Sequence, residues 1–212
     1  VAADIPWSSI FETAEHEAGG GAAAFLIDGQ AKDAIVLIDG FSSECYEVLG
    51  DRFRVDGEKK PKSLEVRAYN DKTLKQLVTN CTKTLLNRLN YNIDMYEYII
   101  AHQPNGRTPL NIASYIGASR EKVTRTVISN IVGYCGCAMP LISLAYVLDN
   151  SKPNEKILLI SYGYGGGCDA ISLTTTEKIS EVKQRKFKVK DYIDSKEYLD
   201  FKAYLKYKGL VK

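Results

Sequence analysis

Residues 96–107 read Tyr-Glu-Tyr-Ile-Ile-Ala-His-Gln-Pro-Asn-Gly-Arg, and this stretch constrains the fold more than any other. Tyr98, Ile99, Ile100 and Ala101 are apolar without helical spacing. Such a run fits a short strand buried on both faces. Pro104 cannot extend a ladder and biases Gln103 toward extended backbone. Gly106 and Thr108-Pro109 then read as a turn and a helix start. His102 therefore falls at the carboxyl end of a buried strand, where open α/β sheets place their ligands. The other histidine, His16, lies in a polar, loop-like run. On spacing alone a single histidine is more often structural than functional.

Upstream, the chain begins Val1-Ala2-Ala3-Asp4, which reads as the end of a strand and suggests a processed chain or one part of a larger unit. Residues 6–19 are polar and acidic, a surface loop or short helix. Gly19-Gly20-Gly21-Ala22-Ala23-Ala24 leads into Phe25-Leu26-Ile27. Small residues entering a strand indicate either a close backbone approach or a flexible glycine loop. Ala34 to Ile38 is a second strand, with a turn expected at Asp39-Gly40 and a two-strand meander as the natural pairing. Residues 44–62 are charged and turn-rich, a solvated excursion. From Leu64 to Leu89, Leu74, Leu77, Val78, Cys81, Leu85 and Leu89 fall at helical spacing, with Asn70 or Asp71 as a cap.

Downstream, a helix is expected from Leu110 to Ile116, ended by Gly117, and another turn begins near Ser119. Gly133-Tyr134-Cys135-Gly136-Cys137-Ala138-Met139-Pro140 feeds an apolar helix, Leu141 to Leu148, with Pro140 in its first turn. Ile157 to Ile160 is a further buried strand. It runs into Tyr162-Gly163-Tyr164-Gly165-Gly166-Gly167. The alternation of Cys168 to Leu173 makes the next element a strand, so this is not a dinucleotide fingerprint, which requires a helix there. A glycine turn between antiparallel strands exposes backbone N–H groups instead. Glu177 to Phe187 reads as a charged helix. Tyr198, Phe201, Leu205 and Lys208 have helical spacing, so the Tyr/Lys-rich end reads as a tail docking on its own body or on a partner.

Bulk properties narrow the class. A net charge of +2 on 212 residues argues against a nucleic-acid groove. Cys45, Cys81, Cys135, Cys137 and Cys168 are odd in number and scattered, which suits reduced thiols in a cytoplasmic protein. Cys135-x-Cys137 with one histidine is a weak metal pattern, and no metal is expected. No apolar run approaches membrane-spanning length, and no signal peptide is seen.

Three strand-end loops thus carry special residues: 102–105, 133–140 and 163–167. In order and spacing they resemble the C-terminal half of the thiolase superfamily. The likeness is greatest to archaeal-type 3-hydroxy-3-methylglutaryl-CoA synthases, with ketoacyl synthase III and phloroglucinol acetyltransferase related. It covers nearly the whole chain. It rests on the Gly-Gly-Gly-Ala-Ala-Ala-Phe-Leu-Ile strand, the His-Gln-Pro-Asn turn and the Ser-Tyr-Gly-Tyr-Gly-Gly-Gly-Cys-Asp-Ala turn. The end, residues 204–211, is similar to that of synthases that assemble with a thiolase and a small zinc-ribbon/OB protein.

The resemblance implies a thiolase-like α/β fold: half of a five-layered αβαβα architecture, with a mixed five-stranded sheet and helices on both faces. Residues 1–175 would form the half-domain and 176–212 the docking tail. It implies acyl-CoA-dependent carbon–carbon bond formation of the mevalonate-pathway type, with acyl-CoA as substrate and no cofactor. His102 matches the catalytic histidine. Gly165, Gly166 and Gly167 match an oxyanion-hole turn, and Asn105 and Arg107 lie where substrate is bound. Tyr134 stands where relatives carry the asparagine that pairs with the histidine. The nucleophilic cysteine and a catalytic glutamate belong to the other half, and no cysteine here has a nucleophile's context. The implied partner is that half, or a companion chain, in a hetero-oligomer. The alternative is a degenerate, non-condensing subunit with a structural or acyl-CoA-binding role.

Overall fold

The run Ile157-Leu158-Leu159-Ile160 is apolar at every position, so a strand there needs cover on both faces. The computed structural model supplies it. It describes residues 1–5, 13–47, 53, 55–58, 62, 67–182 and 184–211, at 13, 67–71 and 182 by backbone alone. In chain order the elements are β1 (Ala2–Asp4), α1 (Thr13–Glu17), β2 (Gly21–Ala23), β3 (Val36–Cys45), α2 (Arg67–Leu89), β4 (Tyr98–Ile100), α3 (Thr108–Tyr115), α4 (Arg120–Thr124), α5 (Ser129–Val132), α6 (Met139–Leu148), β5 (Lys156–Gly163), β6 (Gly167–Thr175), α7 (Ile179–Val182), α8 (Val189–Asp194) and α9 (Phe201–Tyr207).

The principal sheet is mixed, in the order β3-β6-β5-β4. β4 runs parallel to β5, with Ile100 opposite Leu159, and β6 is antiparallel to both β5 and β3. On one face α2 brings Leu77, Val78, Cys81 and Leu85 against Ile99, Leu158, Ile160 and Ala170. On the other, α6 brings Leu144, Val147 and Leu148 against Ile100, Ile157, Leu159 and Leu173. The α2 stripe is the one the helical spacing picks out. At the β3 side of the second face the cover stops. Ile38 and Phe41 stay exposed, Phe41 at 61%. Beside them lies a cleft of about 250 Å³ lined by Phe41, Ser43, Leu141, Ser161, Asp169 and Ile171, among others.

Several expectations are corrected. The principal sheet has four strands among the described residues, not five. The strand foreseen through Ile27 ends at Ala23 and pairs with β1, not β3. Leu26 is 97% exposed, so nothing there holds an extended edge in place. Asp39-Gly40 makes a bulge within β3 instead of a turn. The reason is electrostatic: the Asp39 carboxylate accepts from Ser172 (2.9 Å) and Thr174 (2.8 Å) and lies 3.5 Å from the Lys156 ammonium, which ties it to the sheet. Asn70 and Asp71, expected to cap the strongest part of this helix, lie within α2. Of the charged helix foreseen at 177–187, the described residues form the short turn α7, anchored by the fully buried Ile179. Tyr198 precedes α9, which starts where Asp200 accepts from the Ala203 N–H (2.7 Å). Residues 6–12, residues 48–52, 54 and 59–61 of the 44–62 excursion, and the helix start at 64–66 lie outside the described residues.

α9 meets α1 through one carboxylate. Glu15 accepts from Tyr204 Oη (2.7 Å) and pairs with Lys208 (2.6 Å). α8 meets the end of α6, where Asp149 accepts from the Val189 N–H at 2.7 Å. No helix among the described residues is long and apolar enough to cross a membrane.

Leu85 is fully buried under the sheet, so Leu85→Ala is expected to lower stability by about 2–5 kcal/mol in urea unfolding. Burial pushes the Glu15 carboxyl up, but the hydrogen bonds from Lys208 and Tyr204 outweigh it and hold it below its ordinary range. A carboxylate lowered in the folded state stabilises above its unfolded pKa and loses that contribution as pH falls through the folded one. Contact of α9 with α1 is therefore expected to persist at neutral pH and weaken under acid. Glu15→Gln should weaken it already at neutral pH. The rate of limited proteolysis within 196–211 reads both effects.

Candidate active site

β4 and β5 are parallel, so their carboxyl ends emerge at the same side of the sheet. β4 delivers His102 there and β5 delivers Tyr162 and the glycine turn. His102 is 4% exposed and sits among three aromatic rings. Its ring centroid lies 5.7 Å from Tyr134, 5.5 Å from Tyr162 and 5.5 Å from Tyr164, the three contacts edge-on or strongly tilted. The Tyr164 ring in turn meets Tyr134 at 6.3 Å and Tyr162 at 6.1 Å. Such contacts fix an imidazole's plane and exclude water from it.

The turn after His102 is built by polar side chains. Gln103 is 1% exposed. Its Nε2 donates to Ser143 Oγ (3.0 Å) and Thr126 O (3.3 Å), and its Oε1 accepts from Ile128 N (2.9 Å) and Ser129 N (3.1 Å). Asn105 Oδ1 accepts from the Arg107 and Thr108 N–H groups, both at 3.0 Å, and from Thr108 Oγ1. These are the orphan donors of the α3 start. Asn105 thus spends its acceptor on the turn, while its Nδ2 donates to Glu17 Oε1 at 3.2 Å. Arg107 is exposed, and its guanidinium makes no ion pair among the described residues.

Tyr134 arrives from the far side. Its N–H donates to Glu17 O (2.5 Å), and its carbonyl accepts from Gly19 N (2.9 Å). The two backbones touch. A Cβ on Gly19 would lie 2.1 Å from Val132 O, and one on Gly133, at φ +75°, 2.6 Å from Ala18 O. Of the two readings of the glycine run, this is the close approach. The β5–β6 turn spans 164–166. Gly166, at φ +83°, donates to Gly163 O (2.9 Å) and accepts from Tyr46 N (2.8 Å). Gly167 pairs with Gly163 across the hairpin, and the Gly165 N–H has no hydrogen bond within the described chain.

Cys81, Cys135 and Cys168 are buried, whereas Cys45 and Cys137 are exposed, and the hydrogen bond with Cys168 lowers the Cys81 thiol to about 7. Cys81 donates to Ser42 O and Cys168 O. The hydrogen bond with Cys81, and then burial, push the Cys168 thiol up. Burial, aided by the Asp4 carboxylate, pushes Cys135 up. The thiolate is the nucleophilic form, and neither site favours it.

The structure thus brings His102 and Tyr134 together, sets the 164–166 turn beside them through Tyr164, and places Asn105 and Arg107 on the turn after His102. Sequence reasoning missed Tyr162, Tyr164 and Glu17. The tyrosines stand two residues apart on either side of Gly163, just before Gly165, a signal readable beside a strand end. Nothing local marks Glu17, which joins the site through its backbone carbonyl and through Asn105.

The fold is a thiolase-like α/β fold, and the comparisons with known proteins agree. Residues 86–175 match the family described as 3-Oxoacyl-[acyl-carrier-protein (ACP)] synthase III C terminal. The chain therefore carries a C-terminal thiolase-type domain. It is 30% identical over 182 residues to a hydroxymethylglutaryl-CoA synthase of Thermococcus gammatolerans, covering 86% of this chain and 51% of that protein. It is 28% identical over 193 residues to one of Methanosarcina acetivorans, covering 91% and 55%. The solved structure of MvaS in complex with 3-hydroxy-3-methylglutaryl coenzyme A superposes with a TM-score of 0.81 at 17% identity, over 99% of this chain and 59% of that one. The chain spans about half the length of the curated relatives it matches.

Gly133→Ala places a Cβ against the Ala18 carbonyl and forces a positive φ on alanine. It is expected to cost about 1–3 kcal/mol in chemical unfolding and to separate the Tyr134 and His102 rings in the folded variant, read from ring-proton contacts by NMR.

Proposed function

We propose that this chain acts as the C-terminal half of an acyl-CoA-dependent condensing acyltransferase of the hydroxymethylglutaryl-CoA synthase kind. One observation carries the reading: a water-excluded histidine at the end of a buried parallel strand, beside a glycine turn, in a chain homologous to half of such synthases. The other half, on a companion chain or a further segment, supplies the cysteine. That thiolate attacks an acyl-CoA carbonyl; the cysteine–acyl bond forms, the carbon–sulfur bond to CoA breaks, and CoA leaves as a thiol carrying the displaced proton. His102, as a neutral donor, then hydrogen-bonds the carbonyl oxygen of the second thioester as charge develops on it. The Gly165–Gly167 turn lends a backbone N–H to the acyl-enzyme oxyanion, that of Gly165, which the hairpin leaves open. Arg107 meets a CoA phosphate, and Asn105 shapes the turn after His102 that presents Arg107. Acyl-CoA is the substrate, and no cofactor or metal is called for.

The uncovered Ile38–Phe41 side of the sheet fits association with that other half, because a soluble protein rarely leaves such a surface bare. In this reading residues 1–175 form the catalytic half and 176–212 a tail that docks on the body and on a cytoplasmic hetero-oligomer, with a thiolase and a zinc-ribbon/OB protein as the partners to seek.

Tyr134 favours a second reading. Its ring stands 5.7 Å from His102, where condensing relatives carry an asparagine, and three phenols wall the imidazole. A subunit that binds acyl-CoA, or only holds partners, without condensing is built the same way.

The test is incubation of the natively purified assembly with acetyl-CoA, followed by intact mass spectrometry. A companion polypeptide that gains an acetyl group, together with a loss of about 10²–10⁴-fold in condensation for His102→Ala, supports the first reading. An assembly that never acylates, or a His102→Ala protein with unchanged activity, sinks it in favour of the second.

A further inference from the structure

The Gln103 side chain bonds no part of its own turn. Every hydrogen-bonding position on its amide is spent on segments 23 to 40 residues away. Two of its partners, the N–H groups of Ile128 and Ser129, are first-turn donors of α5 and have no acceptor within that helix. The α5 turn is then closed by Val132 N to Ile128 O (3.1 Å) and Gly133 N to Ser129 O (3.0 Å). The next residue is Tyr134. Upstream, Thr126 Oγ1 sits between β4 and α4, within donating distance of Ile99 O (2.9 Å) and Val123 O (2.8 Å).

We infer that Gln103 is a positioning residue: by holding the start of α5 against the end of β4 it sets where Tyr134 stands relative to the His102 ring. His102 and Gln103 are neighbours in sequence, so one short rigid path runs from the histidine through the Gln103 amide and one helical turn back to the ring facing that histidine. A side chain serving stability alone satisfies buried donors wherever they lie. This one ties the two elements that meet at His102. Any catalytic consequence rests on the function proposed above, while the geometric coupling does not.

The experiment uses the full 212-residue chain, in its assembly if one is required, with 13C-labelled histidine. The protein has two histidines, and exposed His16 on α1 is the internal control. Gln103→Met is expected to shift the His102 ring resonance and leave His16 in place. Gln103→Glu is expected to restore the wild-type position: it keeps the acceptor for both N–H groups, and as a buried neutral acid its O–H replaces the donor to Thr126 O. In a Tyr134→Ala background Gln103→Met should produce no further shift, because the coupling passes through that ring. If Gln103→Met does not fold, Ser143→Ala, which removes one Nε2 partner, is compared with and without Tyr134 in the same way.

A folded variant whose His102 resonance does not move overturns the inference. So does one in which it moves equally whether or not Tyr134 is present. In an assembly that condenses, Gln103→Met should lower kcat with KM nearly unchanged, and a rise in KM alone would count against positioning. Resonance coupling in an assembly without acyl transfer supports this inference and defeats the proposed function, so the two fail separately.

Discussion

Cover on both faces of β5 is the constraint on which the rest of the structure depends. Ile157 to Ile160 find α2 on one side and α6 on the other, and β4 and β6 pair along both edges. With Ile100 held opposite Leu159, the chain leaving β4 must emerge beside the chain leaving β5. That register, set by apolar burial, brings His102 to within ring contact of Tyr162 and Tyr164. The placement of His102 at that end of the sheet is therefore a consequence of the core.

Where burial stops, polar groups take over, each with a geometric task. Gln103 ties α5 to the strand end, Asn105 caps α3, Thr126 bolts its loop to β4, and Glu17 joins both loops from outside. The Gly19–Gly133 approach completes the frame by bringing two backbones closer than any side chain would allow. Arg107, on the same turn as Asn105, stays exposed. The site is thus assembled mainly from backbone and amide hydrogen bonds, with the phenols as a lining.

The two sheet faces differ in how far they are covered. The α2 face is closed. The second face is closed only as far as α6 reaches, and Phe41, Ile38 and the adjoining cleft remain open. The bare part of one sheet face thus belongs to a chain that matches about half the length of its hydroxymethylglutaryl-CoA synthase relatives.

By itself the sequence determined what depends on local order and periodicity. The buried strand before His102, the apolar stripe of α2, the proline-started α6 and the antiparallel hairpin across the glycine turn are all set by residue spacing and backbone preference over short distances, and the ordered motifs carried the resemblance to the thiolase superfamily. Only the tertiary structure decided the rest. β2 turned to β1 instead of β3, Asp39 became a bulge because Lys156, Ser172 and Thr174 reach it from other strands, and Tyr162, Tyr164 and Glu17 joined His102. These outcomes depend on contacts between residues tens of positions apart, and no local pattern records which distant partner a side chain or a strand edge will meet.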